Sequence, residues 1–96
     1  MRYLVVDANL SGTGIRDKYN GGYVSPLELN LSSNVINQID LWLSRYENEH
    51  FDGFLNSDLI NKLDTEGRDI AKKIKDELGD IKIEYFSAAK MTKEII

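Results

Sequence analysis

The sequence predicts a small α/β protein, with a sheet of two or three strands covered on one face by two main helices. Three observations support this class: an apolar, β-branched run near the amino terminus, two amphipathic helical patterns, and an alternating apolar run near the end. The order β-α-α-β permits a parallel, right-handed crossover between the two strands. With 96 residues, of which 42% are hydrophobic, the chain is expected to form a single domain spanning 1–96.

The first predicted strand is Tyr3-Leu4-Val5-Val6, whose apolar run is typical of a strand buried on both faces. Asp7 stands at its carboxyl end. A glycine-rich loop then continues to about Val24, with glycine pairs on both sides of Arg16-Asp17-Lys18-Tyr19. We interpret these pairs as hinges that present a polar, aromatic-bearing loop.

The capping signals are clear in the next segment. Ser25-Pro26-Leu27-Glu28 has the pattern of a capping box and predicts one helical turn before Asn30, a residue that tolerates the left-handed conformation. Ser32 can cap the first main helix, predicted over 33–47. Its apolar face comprises Val35, Ile36, Ile39, Trp42, Leu43 and Tyr46.

Ser57 or Asn56 is predicted to cap the second main helix, and Gly79 is predicted to end it. Gly67 falls on its apolar stripe, where a glycine costs about 1 kcal/mol relative to alanine. This suggests close approach of another element. A second strand is predicted over 81–86 from its alternating pattern, and the tail, 91–96, can add a short C-terminal edge strand.

Charge is unevenly distributed along the chain. The net charge is −4, and residues 28–58 contain six acidic residues against Arg45 alone, a net charge of −5. Such a segment repels phosphate backbones and favours a basic partner, which argues against nucleic acid as the ligand. A solvated acidic face that maintains solubility is the alternative interpretation.

Several kinds of chemistry are disfavoured by the residues present. The chain has no cysteine and one histidine, so thiolate metal sites, disulfides and histidine clusters are excluded, and we expect neither a cofactor nor a metal. Gly12-Thr13-Gly14 lacks the third glycine of a dinucleotide-binding loop, and the P-loop motif is absent. No leader or long apolar run is seen, so we expect a cytoplasmic protein that does not bind membranes.

The stretch "YLVVDAN" resembles the first strand of PIN-domain ribonucleases. That resemblance implies that Asp7 helps to hold a divalent metal and that Asn9 caps a helix. A glycine-rich segment follows here where the family has a helix, and this chain is shorter than the family's usual domain. A metal site of this type needs several converging carboxylates, so a PIN-like ribonuclease using Asp7 is the enzymatic alternative.

The segment "YENEHFDGFLNSD", residues 46–58, has four carboxylates and no Lys or Arg, interleaved with Tyr46, Phe51 and Phe54. Aromatic side chains provide anchors at protein interfaces, and carboxylates meet Arg and Lys. We expect one or two of the three rings to point inward. The segment therefore indicates a surface that recognises a basic protein.

Over nearly its full length the chain resembles small bacterial immunity proteins of contact-dependent growth inhibition and related polymorphic toxin systems. The resemblance lies in "DANLSGTGIRDKYNGGYVSP", in "LNLS" and in "LDTEGRDIAKKIKDEL". It implies a non-catalytic inhibitor that binds a cognate toxin domain, expected to be a basic nuclease of the ribonuclease-like type, and occludes its active site. A non-catalytic interaction adaptor without a toxin is the remaining alternative.

On this interpretation two groups of side chains bind the partner. Glu47, Glu49 and Asp52 would meet basic residues that normally hold RNA phosphates. Asp17, Tyr19 and Tyr23 in the glycine loop would supply a carboxylate and rigid aromatic contacts.

Overall fold

A computed structural model describes residues 2–10 and 12–96. Ser11, within the predicted glycine loop, and Met1 lie outside the described residues. The architecture is a four-stranded sheet with two helices packed on one face. The elements are β1 (Tyr3–Asp7), β2 (Ile15–Asp17), α1 (Ser33–Phe51), α2 (Ser57–Leu78), β3 (Lys82–Ser87) and β4 (Thr92–Ile95).

The strand order in the sheet is β2-β1-β3-β4. β1 and β3 are parallel and joined through the two helices, as the β-α-α-β order predicts. β4 pairs antiparallel with β3, which confirms the C-terminal edge strand. The predicted count of two or three strands was too low, because β2, inside the glycine loop, pairs antiparallel with β1.

β2 forms because the glycine loop folds back on itself as a hairpin. The N–H of Asp17 donates to the carbonyl of Gly22 at 2.8 Å, and the N–H of Val24 donates to the carbonyl of Ile15 at 2.9 Å. Ile15 is buried in the core and fixes the register of the strand against Val6. A three-residue strand is too short to produce an alternation that can be recognised in the sequence.

α1 begins as predicted and ends one turn later than predicted. The Ser32 hydroxyl accepts the N–H of Val35 at 3.3 Å, which caps the first turn. At the other end Gly53, with φ of 75°, donates to the carbonyl of His50, and Phe54 donates to that of Glu49. These two bonds are a Schellman motif, which extends the helix to Phe51 despite the polar sequence.

α2 is capped by Asn56, whose side chain accepts the N–H of Leu59 at 3.0 Å. Gly79 ends it with φ of 77°. The predicted close approach occurs at Gly67, where an added Cβ would lie 2.2 Å from Cε1 of Tyr85. The glycine on the apolar stripe therefore makes room for a tyrosine ring of β3.

The hydrophobic core lies between the sheet and the helices. Trp42 is fully buried and its indole N–H donates to the carbonyl of Leu63 at 2.9 Å, which joins α1 to α2. Leu4 and Val6 of β1 contribute to the same cluster. The buried indole thus finds its hydrogen-bond acceptor on the neighbouring helix.

The opposite face of the sheet carries no helix, and long charged side chains cover it instead. The Arg16 guanidinium lies 3.1 Å from the Asp7 carboxylate, and the Lys18 ammonium lies 2.7 Å from Glu84. Val5 lies on this face, paired with Arg16 across the strands, and is 1% exposed. The stems of these side chains can shield an apolar residue from water without a second layer.

Neither helix of the described chain contains an apolar stretch suited to spanning a bilayer.

Candidate protein-interaction site

The turn between β2 and the following segment is organised by Asp17. Its carboxylate accepts the backbone N–H groups of Tyr19 at 2.9 Å and Asn20 at 3.2 Å. Asp17 pairs with Leu4, so this turn lies at the amino end of β1. The carboxylate thus shapes the turn from within, which limits what it can offer to a partner.

The two tyrosines of the glycine loop differ in exposure. Tyr19 is 70% exposed and meets Tyr3 edge-to-face, with ring centroids 5.9 Å apart. Tyr23 pairs with Arg16, and its ring lies against Gly12, where an added Cβ would be 2.5 Å from Cε1. Tyr19 is therefore the more accessible contact, and Tyr23 holds the loop closed over Gly12.

The predicted acidic residues of α1 separate into two environments. Glu47 and Asp52 are exposed, whereas Glu49 is only 5% exposed. The ring Nε2 of His50 lies 3.1 Å from the carbonyl oxygen of Ala8, so this end of α1 sits beside the carboxyl end of β1. Because a carbonyl only accepts, Nε2 carries the hydrogen of that bond.

The structure separates Asp17 and Tyr19 from the predicted acidic group, whereas the Tyr23 ring lies against Gly12, which lines the same hollow as Glu47. Asp17 and Tyr19 lie at the amino end of β1, and Glu47 and Asp52 lie near its carboxyl end. Four residues of strand separate the two ends, roughly 13 Å at 3.3 Å per residue. A small partner would therefore engage one group, and only an extended one could reach both.

The aromatic residues of segment 46–58 point in different directions. Tyr46 is fully buried, and Phe54 packs inward with its ring centroid 4.7 Å from that of His50. Phe51 and Leu55 point outward, with 74% and 86% of their surfaces exposed. We call Glu47, Phe51, Asp52 and Leu55 together the helix corner, because they surround the turn from α1 to α2.

The helix corner lies on a strongly acidic surface. Arg45 is the only Lys or Arg between 28 and 58, and its guanidinium lies 3.1 Å from Glu66 on α2. Four acidic residues from α1 to the first turn of α2 remain exposed. They are Asp40, Glu47, Asp52 and Asp58. The arrangement can bind a basic surface through carboxylates and an apolar one through Phe51 and Leu55.

Asp7, the residue of the PIN-like alternative, is fully buried. Arg16 lies 3.1 Å from its Oδ2, and the backbone and side-chain nitrogens of Asn9 donate to its two oxygens at 3.0 and 3.1 Å. Burial raises the pKa of Asp7, while Arg16 and Asn9 oppose that shift. Across residues 2–10 and 12–96, no three His, Asp or Glu side chains are grouped as a metal site requires.

A buried polar network that the sequence did not reveal lies around Asp64 on α2. Oδ1 of Asp64 accepts the hydroxyl hydrogens of Tyr46 at 2.8 Å and Tyr85 at 2.6 Å, and Oδ2 accepts that of Ser87 at 2.8 Å. Burial raises the pKa of both tyrosines, so they stay protonated and act as donors. The Lys90 ammonium lies 3.7 Å from Oδ2.

The network joins α1, α2 and β3 through one carboxylate. A signal for it exists in the sequence, because Asp64 follows Ile60 by four residues and so falls on the apolar stripe of α2. A carboxylate on a buried stripe must find donors, and hydroxyl groups are frequent ones. The identity of those donors depends on residues about 20 positions away.

No protein-family model matches the chain, and no curated protein is significantly similar to it.

Proposed function

We propose that this protein is an immunity protein that binds a cognate bacterial toxin domain and blocks its active site. The observation that carries the proposal is the exposed helix corner, which combines two carboxylates with two large apolar side chains and has no base of its own. Surfaces of this composition suit recognition of a basic, partly apolar protein patch. The partner class that we propose is the one that the resemblance to immunity proteins implies.

The proposed mechanism is occlusion without turnover. A nuclease holds RNA phosphates with Lys and Arg side chains, and carboxylates of an inhibitor can pair with the same groups. Glu47 and Asp52 would fill that role, and the body of α1 would exclude the nucleic acid. The net charge of −5 over residues 28–58 would accelerate association with a basic toxin domain.

Burial and position change which of the predicted residues we propose as partner contacts. Glu49 is buried, so Glu47 and Asp52 carry the electrostatic contact. Asp17, Tyr19 and Tyr23 lie toward the other end of β1 or hold the loop. We assign Tyr19, the most exposed of the three, to a secondary contact with an extended partner.

A growth-protection assay tests the proposal. The proposal expects a large secreted protein to be encoded immediately upstream of this gene, and the toxin domain of that protein would be co-expressed with the full chain. Wild type should restore growth, and Glu47→Lys/Asp52→Lys should not. The matched control is Asp76→Lys/Asp80→Lys, which makes the same charge change at two exposed positions away from the helix corner.

Absence of such an upstream gene, or a toxic domain against which wild type gives no protection, would contradict the proposal. Full protection by the Glu47→Lys/Asp52→Lys variant at wild-type abundance would contradict the assignment of the helix corner as the contact.

A further inference from the structure

We propose that Phe51 and Leu55 are the apolar anchors of the interface and enter a hollow in the partner that is rimmed by basic side chains. This inference rests on the proposed function and identifies the partner surface that it requires. Phe51 and Leu55 are large apolar residues that lie outside the hydrophobic core and are exposed to solvent.

The backbone holds these side chains in place before any partner binds. The Schellman bonds from Gly53 to His50 and from Phe54 to Glu49 fix the end of α1, and Asn56 caps α2 immediately afterwards. Phe54, with φ of 58°, turns its ring inward against His50 and Tyr46. The turn between the helices is therefore pinned at both ends, which leaves Phe51 and Leu55 directed to solvent.

This order lowers the entropic cost of binding. A phenylalanine ring on a capped helix has few rotamers to lose, and the backbone beneath it is already hydrogen-bonded. Exposed side chains of this size and stiffness are typical of residues that dominate interface energies. In an isolated chain, by contrast, 74% and 86% exposure of two large apolar residues confers no stability.

The acidic residues around Phe51 and Leu55 favour a basic protein as the partner at the helix corner. Residues 46–61 contain four acidic residues, of which Glu47, Asp52 and Asp58 are exposed, and no Lys or Arg, so this segment repels nucleic acid and anionic lipid. A symmetric contact with a second copy would place the same carboxylates against each other, which is unfavourable. A protein surface with an apolar hollow could bury Phe51 and Leu55, and Lys or Arg side chains at its rim could pair with Glu47 and Asp52.

The test measures the affinity of the purified full chain for the same upstream-encoded toxin domain by calorimetry. Phe51→Ala/Leu55→Ala should weaken binding about 30-fold or more. The control, Leu27→Ala/Ile95→Ala, removes two apolar side chains that are 73% and 82% exposed elsewhere, and its affinity should stay within about threefold of wild type. A photo-crosslinking phenylalanine analogue at position 51 should crosslink to the toxin domain.

The outcomes separate the two proposals. Binding by wild type with equal affinity for both variant pairs, or no crosslink from position 51, overturns the anchor assignment and leaves the proposed function standing. No binding by wild type overturns both. Dimerisation of the free chain that Phe51→Ala/Leu55→Ala abolishes would show that a second copy occupies the helix corner, and would also overturn the inference.

Discussion

The phenolic oxygen of Tyr85 lies 2.6 Å from Oδ1 of Asp64, and both side chains are almost completely withdrawn from solvent. Tyr46 donates to the same oxygen and Ser87 to the other one. A carboxylate of α2 thus holds hydroxyl groups from α1 and β3. These buried groups form their hydrogen bonds with one another because water cannot reach them, so the network acts as one structural unit.

Removing the carboxylate should be costly. Asp64→Ala leaves buried hydroxyl groups without their acceptor, and we expect a loss of about 3 kcal/mol or more in the free energy of unfolding. Asp64→Asn should lose less, because the amide oxygen can still accept from the tyrosines. Urea unfolding followed by circular dichroism measures both. A loss below about 1 kcal/mol for Asp64→Ala would show that the network contributes little.

The contact between Gly67 and Tyr85 gives a second prediction. A Cβ at position 67 would lie 2.2 Å from Cε1 of Tyr85, whose hydroxyl group is anchored on Asp64. Overpacking should therefore outweigh the helix-propensity gain of about 1 kcal/mol, and Gly67→Ala should destabilise the fold by about 2 kcal/mol net.

The matched control for that substitution is Gly22→Ala. No atom lies within 4 Å of a Cβ added at Gly22, so its unfolding midpoint in urea should stay near that of wild type. A Gly67→Ala variant as stable as the Gly22→Ala variant would contradict the packing account.

The buried carboxyl group of Asp7 should make the stability of the protein depend on pH. Burial raises its pKa above the ordinary value of 3.8. Its contribution to stability is fully present below the unfolded pKa and is lost as pH rises through the folded pKa. The asparagine of Asp7→Asn cannot ionise, so the variant does not lose this stability as pH rises. The unfolding free energy of the variant minus that of wild type should therefore increase from about pH 3 to about pH 7.

Urea titrations at several pH values give this difference directly. If the difference in unfolding free energy between the variant and wild type is the same at every pH, it reflects only the altered hydrogen bonds at position 7, and the expected pH dependence is absent. A difference that decreases as pH rises would contradict the assigned direction.

For Glu77 we expect a pH dependence of stability with the opposite sign to that of Asp7. The hydroxyl and backbone N–H of Ser32 donate to its carboxylate at 2.6 and 2.7 Å, and these bonds lower the pKa of Glu77 below 4.5. The resulting stability is present above the unfolded pKa and is lost as pH falls through the folded pKa. Glu77→Gln should thus be less stable than wild type at neutral pH, and this deficit should shrink in acid.

Thermal unfolding at neutral and acidic pH checks this, with Asp76→Asn as the neighbouring exposed control. A deficit that is independent of pH would show that the carboxylate charge is not what strengthens the Ser32 cap.

The elements that the sequence predicted well are those with local causes. The caps at Ser32 and Asn56, the positive φ of 56° at Asn30 and the stop at Gly79 all depend on side chains within a few residues. The close approach at Gly67 was also foreseeable, because a glycine on an apolar helical stripe has few other causes.

The features that escaped prediction depend on distant partners. β2 is stable only because β1 pairs with it, and its three residues lie in a loop sequence. Asp64 lies on the apolar stripe of α2, but the hydroxyl groups that satisfy it come from Tyr46, Tyr85 and Ser87, which are distant in the sequence. The separation of Tyr19 from Asp52 likewise follows from the hairpin, which returns the loop to the amino end of β1.

The most direct test of the central claim is a calorimetric titration of the full chain with the upstream-encoded toxin domain. We expect a 1:1 complex with wild type, and binding weakened about 100-fold or more by Glu47→Lys/Asp52→Lys. Asp76→Lys/Asp80→Lys should bind like wild type. Absence of heat for wild type, or equal weakening by both charge-reversed variants, would contradict recognition through the helix corner.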